Sequence, residues 1–176
     1  MIENSFIDTV IKKEHMQVLI VGTKNSARSQ MAHAWLASNN DEIEVFSAGI
    51  TPDNEIPTEV ISTMKEINID LTNHKPKSLN EYLDQKWDIV ISVSDEARDQ
   101  MPTFSKKVRH KLHKSFLDSS LFTGTTDEKI EKYSLLRDEI VESFNSLNEA
   151  ILMEIEAKKY ASESHHQCGC GGSCGC

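Results

Sequence analysis

The stretch Val18-Leu19-Ile20-Val21-Gly22-Thr23-Lys24-Asn25-Ser26-Ala27-Arg28-Ser29 runs from an apolar segment through a polar loop into helix-forming sequence. Met16 to Val21 has the length and β-branched content of a buried strand. Ser29 to Ser38 is helical by composition. In parallel α/β folds, ligands bind beyond the carboxyl ends of strands, where a loop's N–H groups and a helix N-terminus favour an anion. Arg28, at the entrance of the helix, adds a planar fork suited to a tetrahedral oxyanion. The same residues also read as an ordinary polar turn, with Ser26 or Ser29 capping the helix and Arg28 solvated.

Working outward, strands and helices alternate. Glu3 to Glu14 reads as a short helix, and Glu42 to Phe46 alternates polar and apolar residues as a strand with one wet face does. Pro57 at a first helical position opens a helix through about Ile67. Asp88 to Val93 is a third strand and Lys107 to His113 a fourth. Thr125 and Glu128 form a capping-box signature, after which Ile130, Tyr133, Leu136, Ile140, Phe144, Leu147, Ile151 and Ile155 recur at helical steps. This order predicts a single α/β domain, a parallel four-stranded sheet flanked by helices. The boundaries are an extension over 1–15, the domain over 16–160 and a tail over 161–176.

The chain has 176 residues, enough for one core that buries about 70% of the unfolded surface. Its 19 Lys and Arg against 28 Asp and Glu, net -9, disfavour nucleic acid as a partner, which needs clustered positive charge. Any small inorganic oxyanion needs a local site instead. The longest aliphatic run is too short for a membrane span, and residues 1–13 do not resemble a signal peptide, so a cytoplasmic location is expected.

Residues across most of the body resemble one family. Val18 to Val21 with the loop and Ser29-Gln30-Met31-Ala32 is similar to the phosphate loop of low-molecular-weight protein tyrosine phosphatases, in their thioredoxin-coupled arsenate reductase branch. Phe46-Ser47-Ala48-Gly49-Ile50, Met64 to Asp70 and Trp87 to Val93 follow in family order. His113-Lys114-Ser115-Phe116-Leu117-Asp118-Ser119 resembles the general-acid loop and Leu136-Arg137-Asp138-Glu139-Ile140 the last helix. The resemblance implies an oxyanion site formed by Gly22, Thr23, Lys24, Asn25, Ser26, Ala27, Arg28 and Ser29, with Asp118 at the general-acid position. Asp118 reads equally as a loop residue capping a turn.

The resemblance also implies a nucleophilic cysteine six residues before Arg28, where this chain has Gly22, and two resolving cysteines where it has Ser94 and Met101. A glycine cannot attack phosphorus or arsenic. It leaves room for one more oxygen and removes a thiolate that would repel the anion. Asn25 and Ser47 match positions around the loop and a nearby cation site, but His33 stands where the branch has Glu. His33 itself reads as a surface or half-buried histidine, and Trp35 and Leu36 as core.

All four cysteines, Cys168, Cys170, Cys174 and Cys176, lie in the last nine residues, beside Gly169, Gly171, Gly172 and Gly175 and after His165 and His166. Two Cys-x-Cys pairs separated by glycine let four sulfurs converge on one soft metal (zinc or copper), trivalent arsenic or an iron-sulfur cluster. Reduced thiols on a flexible tail are the alternative, and the body itself calls for no cofactor. Three functions follow: a non-catalytic oxyanion-binding or sensory domain with a soft-metal tail, an arsenate reductase or phosphatase whose nucleophile is a tail thiol, and a metal or iron-sulfur handling protein. Phe144, Leu147, Ile151 and Ile155 form a stripe that either meets a protein partner or continues packing on the body.

Overall fold

A computed structural model describes residues 15–164. The expected helix over Glu3 to Glu14 and all four cysteines lie outside the described residues. β1 (Met16–Gly22) is the centre of a four-stranded sheet in the order β2-β1-β3-β4. β2 (Ile43–Gly49), β3 (Trp87–Ser92) and β4 (Val108–His113) complete it, and every pairing is parallel. Parallel strands need crossovers, and helices supply them on the faces.

Burial on both faces explains why β1 reads as an unbroken apolar run. Val18 and Ile20 pack into one core cluster, and Leu19 and Val21 into another on the opposite face, as the two-residue period of a strand requires. All four are fully buried, each stabilising by about 1.5–3 kcal/mol relative to exposure. The larger cluster is covered by α1 (Arg28–Asn39), which buries Met31, Ala32, Trp35 and Leu36, by α2 (Thr58–Lys65) and by α4 (Thr126–Ser164). The second cluster joins Trp87, Val90 and Phe104.

Several boundaries depart from the sequence reading. β2 continues past Phe46 to Gly49, because Ile20, Val21 and Gly22 offer partners to Ser47, Ala48 and Gly49. Pro57 is not the first helical residue but the N-cap of α2, with extended backbone at ψ 140°. α2 ends at Lys65 rather than Ile67: Asn68 takes a left-handed conformation at φ 61° and Ile69 N–H bonds back to Met64 O, a helix-ending arrangement. A five-residue helix α3 (Asp95–Asp99), capped by Ser94, was not legible from periodicity.

α4 is 39 residues long and begins with the expected box, Glu128 N–H donating to Thr125 Oγ1 and Thr125 N–H to Glu128 Oε2. Its stripe packs on the body: Phe144 and Ile151 are buried and Leu147 and Ile155 lie against the same core. Half of the alternative raised for that stripe, continued packing, is therefore the one observed. The helix also enters the segment read as tail, as far as Ser164. Among the described residues no helix is long and apolar enough to cross a membrane.

Candidate functional site

The loop after β1 folds into a cup. Gly22, Thr23 and Lys24 turn their carbonyl groups outward to accept from the N–H groups of Ile50, Thr51 and Asp53. Among the described residues, no acceptor takes the N–H groups of Lys24 to Ala27. Side chains hold this shape. Asn25 sits in the left-handed region at φ 52°, its Oδ1 accepting from Lys77 N–H (2.8 Å) and Gln30 Nε2 (3.2 Å) while its Nδ2 donates to Ser29 Oγ (3.0 Å). Ser26 Oγ donates to Asp53 Oδ2 at 2.6 Å, and Thr23 and Ser94 hydroxyls meet at 3.0 Å. Asn25, Ser26 and Ser29 are all buried, so the polarity is internal scaffolding and not a solvated turn.

A cavity of about 300 Å³ opens over the loop, lined by all eight residues from Gly22 to Ser29 and by Asp53, Asp118 and Tyr133. Unbonded N–H groups and the start of α1 face one place, an arrangement that favours negative charge. Arg28 borders it. Its Nη2 donates to Asp118 Oδ1 at 3.0 Å and its Nη1 to Phe116 O at 3.3 Å. Burial lowers the Arg28 pKa, an effect that the charges of Asp118, Glu96 and Tyr133 oppose.

Asp118 caps the short 3₁₀ turn Ser119–Leu121, accepting from Ser120 N–H and Ser120 Oγ. Partial burial resists its ionisation, but the Ser120 bonds and the Arg28 charge outweigh that and hold its pKa below the usual carboxylate range. In this arrangement Asp118 is a carboxylate at neutral pH, paired with Arg28, rather than a proton donor. It therefore competes with any bound anion for the same guanidinium. With sulfate, whose charge does not change with pH, Asp118→Asn should bind about two- to fivefold more tightly, the worth of a partly exposed ion pair. Wild-type affinity at this loop should rise as acid protonates Asp118, by more than that of the variant, which has no carboxylate there to protonate. Calorimetry across pH checks both.

Gly22 has no side chain, and the space is not empty. A Cβ built there would lie 2.9 Å from Ser29 Oγ and 3.2 Å from Ser29 Cβ. Ser94 is buried and bonded to Thr23, and Met101 is partly buried against the second core cluster.

The chain's residues 17–158 match the family model described as low molecular weight phosphotyrosine protein phosphatase. The chain belongs to this family. Among relatives, an arsenate reductase of Halalkalibacterium halodurans is 39% identical over 120 residues, covering 67% of this chain and 84% of that protein. An arsenate reductase of Bacillus subtilis is 33% identical, covering 72% and 91%. The YwlE arginine phosphatase from Geobacillus stearothermophilus superposes with TM-score 0.59 at 26% identity, covering 79% and 94%. An arsenate reductase in the oxidized state superposes with TM-score 0.65 at 21% identity, covering 77% and 98%, a likeness of fold.

In this phosphatase-family chain the site also uses residues that sequence reading passed over. Asp53 braces Ser26, and Tyr133, read only as one of the residues at helical steps, forms both core and cavity wall, edge-on to Phe122 at 5.0 Å between centroids. No local motif marks Asp53. The predicted positions Gly22 to Ser29 and Asp118 do come together.

The tail does not begin near this cavity. Lys159, close to the end of α4, pairs with Glu42 just before β2, at the amino end of the strands, whereas the loop lies at their carboxyl end. From Tyr133 at the cavity to Ser164 the helix advances about 46 Å.

Proposed function

We propose that the body is a non-catalytic oxyanion-binding or sensory domain, for phosphate or arsenate, on the low-molecular-weight phosphatase fold. The observation that carries this reading is the loop: N–H groups without acceptors among the described residues and a guanidinium surround a position, Gly22, that holds no nucleophile. Oxyanion affinity comes from such donors and not from sulfur. Names of relatives point to arsenate and phosphoryl chemistry, which supports the ligand class. The purified full-length protein should bind phosphate or arsenate in calorimetry yet show no thioredoxin-linked arsenate reduction and no aryl phosphate hydrolysis above background. Turnover that disappears in Arg28→Ala would overturn the reading.

The tail is the second module of the proposal. Cys168, Cys170, Cys174 and Cys176, with His165 and His166 adjacent, supply soft donors for zinc, copper, As(III) or an iron-sulfur cluster. Reduced anaerobically, the intact protein should bind close to one such centre. Replacing all four cysteines by serine should eliminate binding and leave thermal unfolding of the body nearly unchanged. Metal retained by that variant would place the ligands elsewhere.

A further inference from the structure

Gln30 is buried and touches two sites at once. Its Nε2 donates to Asn25 Oδ1 in the loop and to Lys75 O, at 3.2 and 3.3 Å. The amide oxygen is thereby turned to His74, whose Nδ1 donates to it at 3.2 Å. His74 belongs to a separate cavity of about 320 Å³. Lys75, Lys77, His33 and His74 line this cavity together with the neutral polar groups of Gln30, Ser47 and Asn73, and no carboxylate lines it. In a chain of net charge -9 that concentration is a local reversal. Neither lysine has an ion-pair partner among the described residues.

The histidines are arranged to accept charge. Their ring centroids lie 5.3 Å apart. His33 Nδ1 bonds Ser47 Oγ at 3.0 Å and His74 Nδ1 bonds Gln30, so both rings are fixed through Nδ1. Among the described residues neither Nε2 has a hydrogen-bond partner, and where Nδ1 is the donor, as it is in His74, protonation at Nε2 breaks no existing bond. What is missing is a negative charge. Burial, then His74 and Lys77, push the His33 pKa down to about 4. Burial also lowers that of His74, with Asp70 opposing and Lys77 assisting.

We propose that this cavity is a second anion site, distinct from the Arg28 loop, which takes a small carboxylate or tetrahedral oxyanion between Lys75, Lys77 and the Nε2 groups of His33 and His74. A metal cation there would face two ammonium groups with no carboxylate to balance them. An anion supplies the counter-charge the histidines lack. Its binding therefore takes up protons and, for an anion that stays ionised such as sulfate, strengthens as pH falls from the ordinary histidine range toward about 4. Charged groups acting on the pair are Lys77 on both rings and Asp70 on His74. Because Gln30 and the Lys77 N–H also fix Asn25, an occupant steadies the first loop.

The test uses full-length Arg28→Ala, in which the loop's own anion site is disabled, labelled with ¹⁵N at histidine. At about pH 6, titration with sulfate, and separately with acetate, should move the His33 and His74 ring resonances saturably and raise both titration midpoints. A response to one salt alone identifies which anion class the site accepts. Sodium chloride at matched ionic strength should not move them. Lys77→Met should weaken the response by about tenfold, and Lys75→Met serves if that variant does not fold. Rings indifferent to both anions, equally responsive to chloride, or unaffected by loss of either lysine would overturn the proposal. Since Arg28 is absent throughout, failure here leaves the reading of the first loop standing.

Discussion

Arg28→Ala should reduce phosphate and arsenate affinity by about 10- to 100-fold, the worth of a charge-assisted bidentate contact of about 1.5–3 kcal/mol. The loss should show in calorimetry and in a reduced ligand-induced thermal shift. Stability without ligand should change little. The Arg28–Asp118 pair has one half-exposed partner, and such pairs contribute little. Arg28→Lys should fall between, since an ammonium restores charge without the planar fork. Unchanged affinity in Arg28→Ala would mean the anion is held elsewhere.

Gly22→Cys should bring back part of a covalent chemistry. The new Cβ would lie 2.9 Å from Ser29 Oγ, so Ser29 must rotate and give up its bond from Asn25 Nδ2. One such bond is worth about 1 kcal/mol, which lowers Tm by about 2–4 °C in a protein of this size. Beside Arg28 and the N–H groups of the loop the thiol should have a depressed pKa. It should form a phosphocysteine with an activated aryl phosphate, seen as a burst approaching one equivalent. Arsenate reduction should stay poor, because Ser94 and Met101 offer no thiol to resolve an oxidised cysteine. Gly22→Cys with Ser29→Ala relieves the crowding. If the double variant folds but gives no burst, the loop no longer presents an oxyanion to attack.

The sheet was legible because its central strand is buried on both faces, which leaves the continuous run Val18 to Val21 in the sequence. The long helix was legible from Thr125, Glu128 and the steps from Ile130 to Ile155. What sequence could not give depends on contacts distant along the chain. α2 stops two residues early because Asn68 goes left-handed, and Ser94 starts a helix too short to show a period. Likewise, Asp118 could be named as an acid or a cap, but only folding brings Arg28 across 90 residues to pair with it and add to the Ser120 bonds that hold it ionised. The same holds for His33: its helix position was readable, but not the approach of His74 and Lys77.

A crystal of the full-length protein soaked in arsenate or phosphate tests the central claim most directly. The account predicts a tetrahedral anion within the Gly22 to Arg28 loop, bonded by loop N–H groups and by Arg28 turned from Asp118, with no covalent link to the chain. An empty loop at saturating ligand, with the Arg28–Asp118 pair intact, would contradict it.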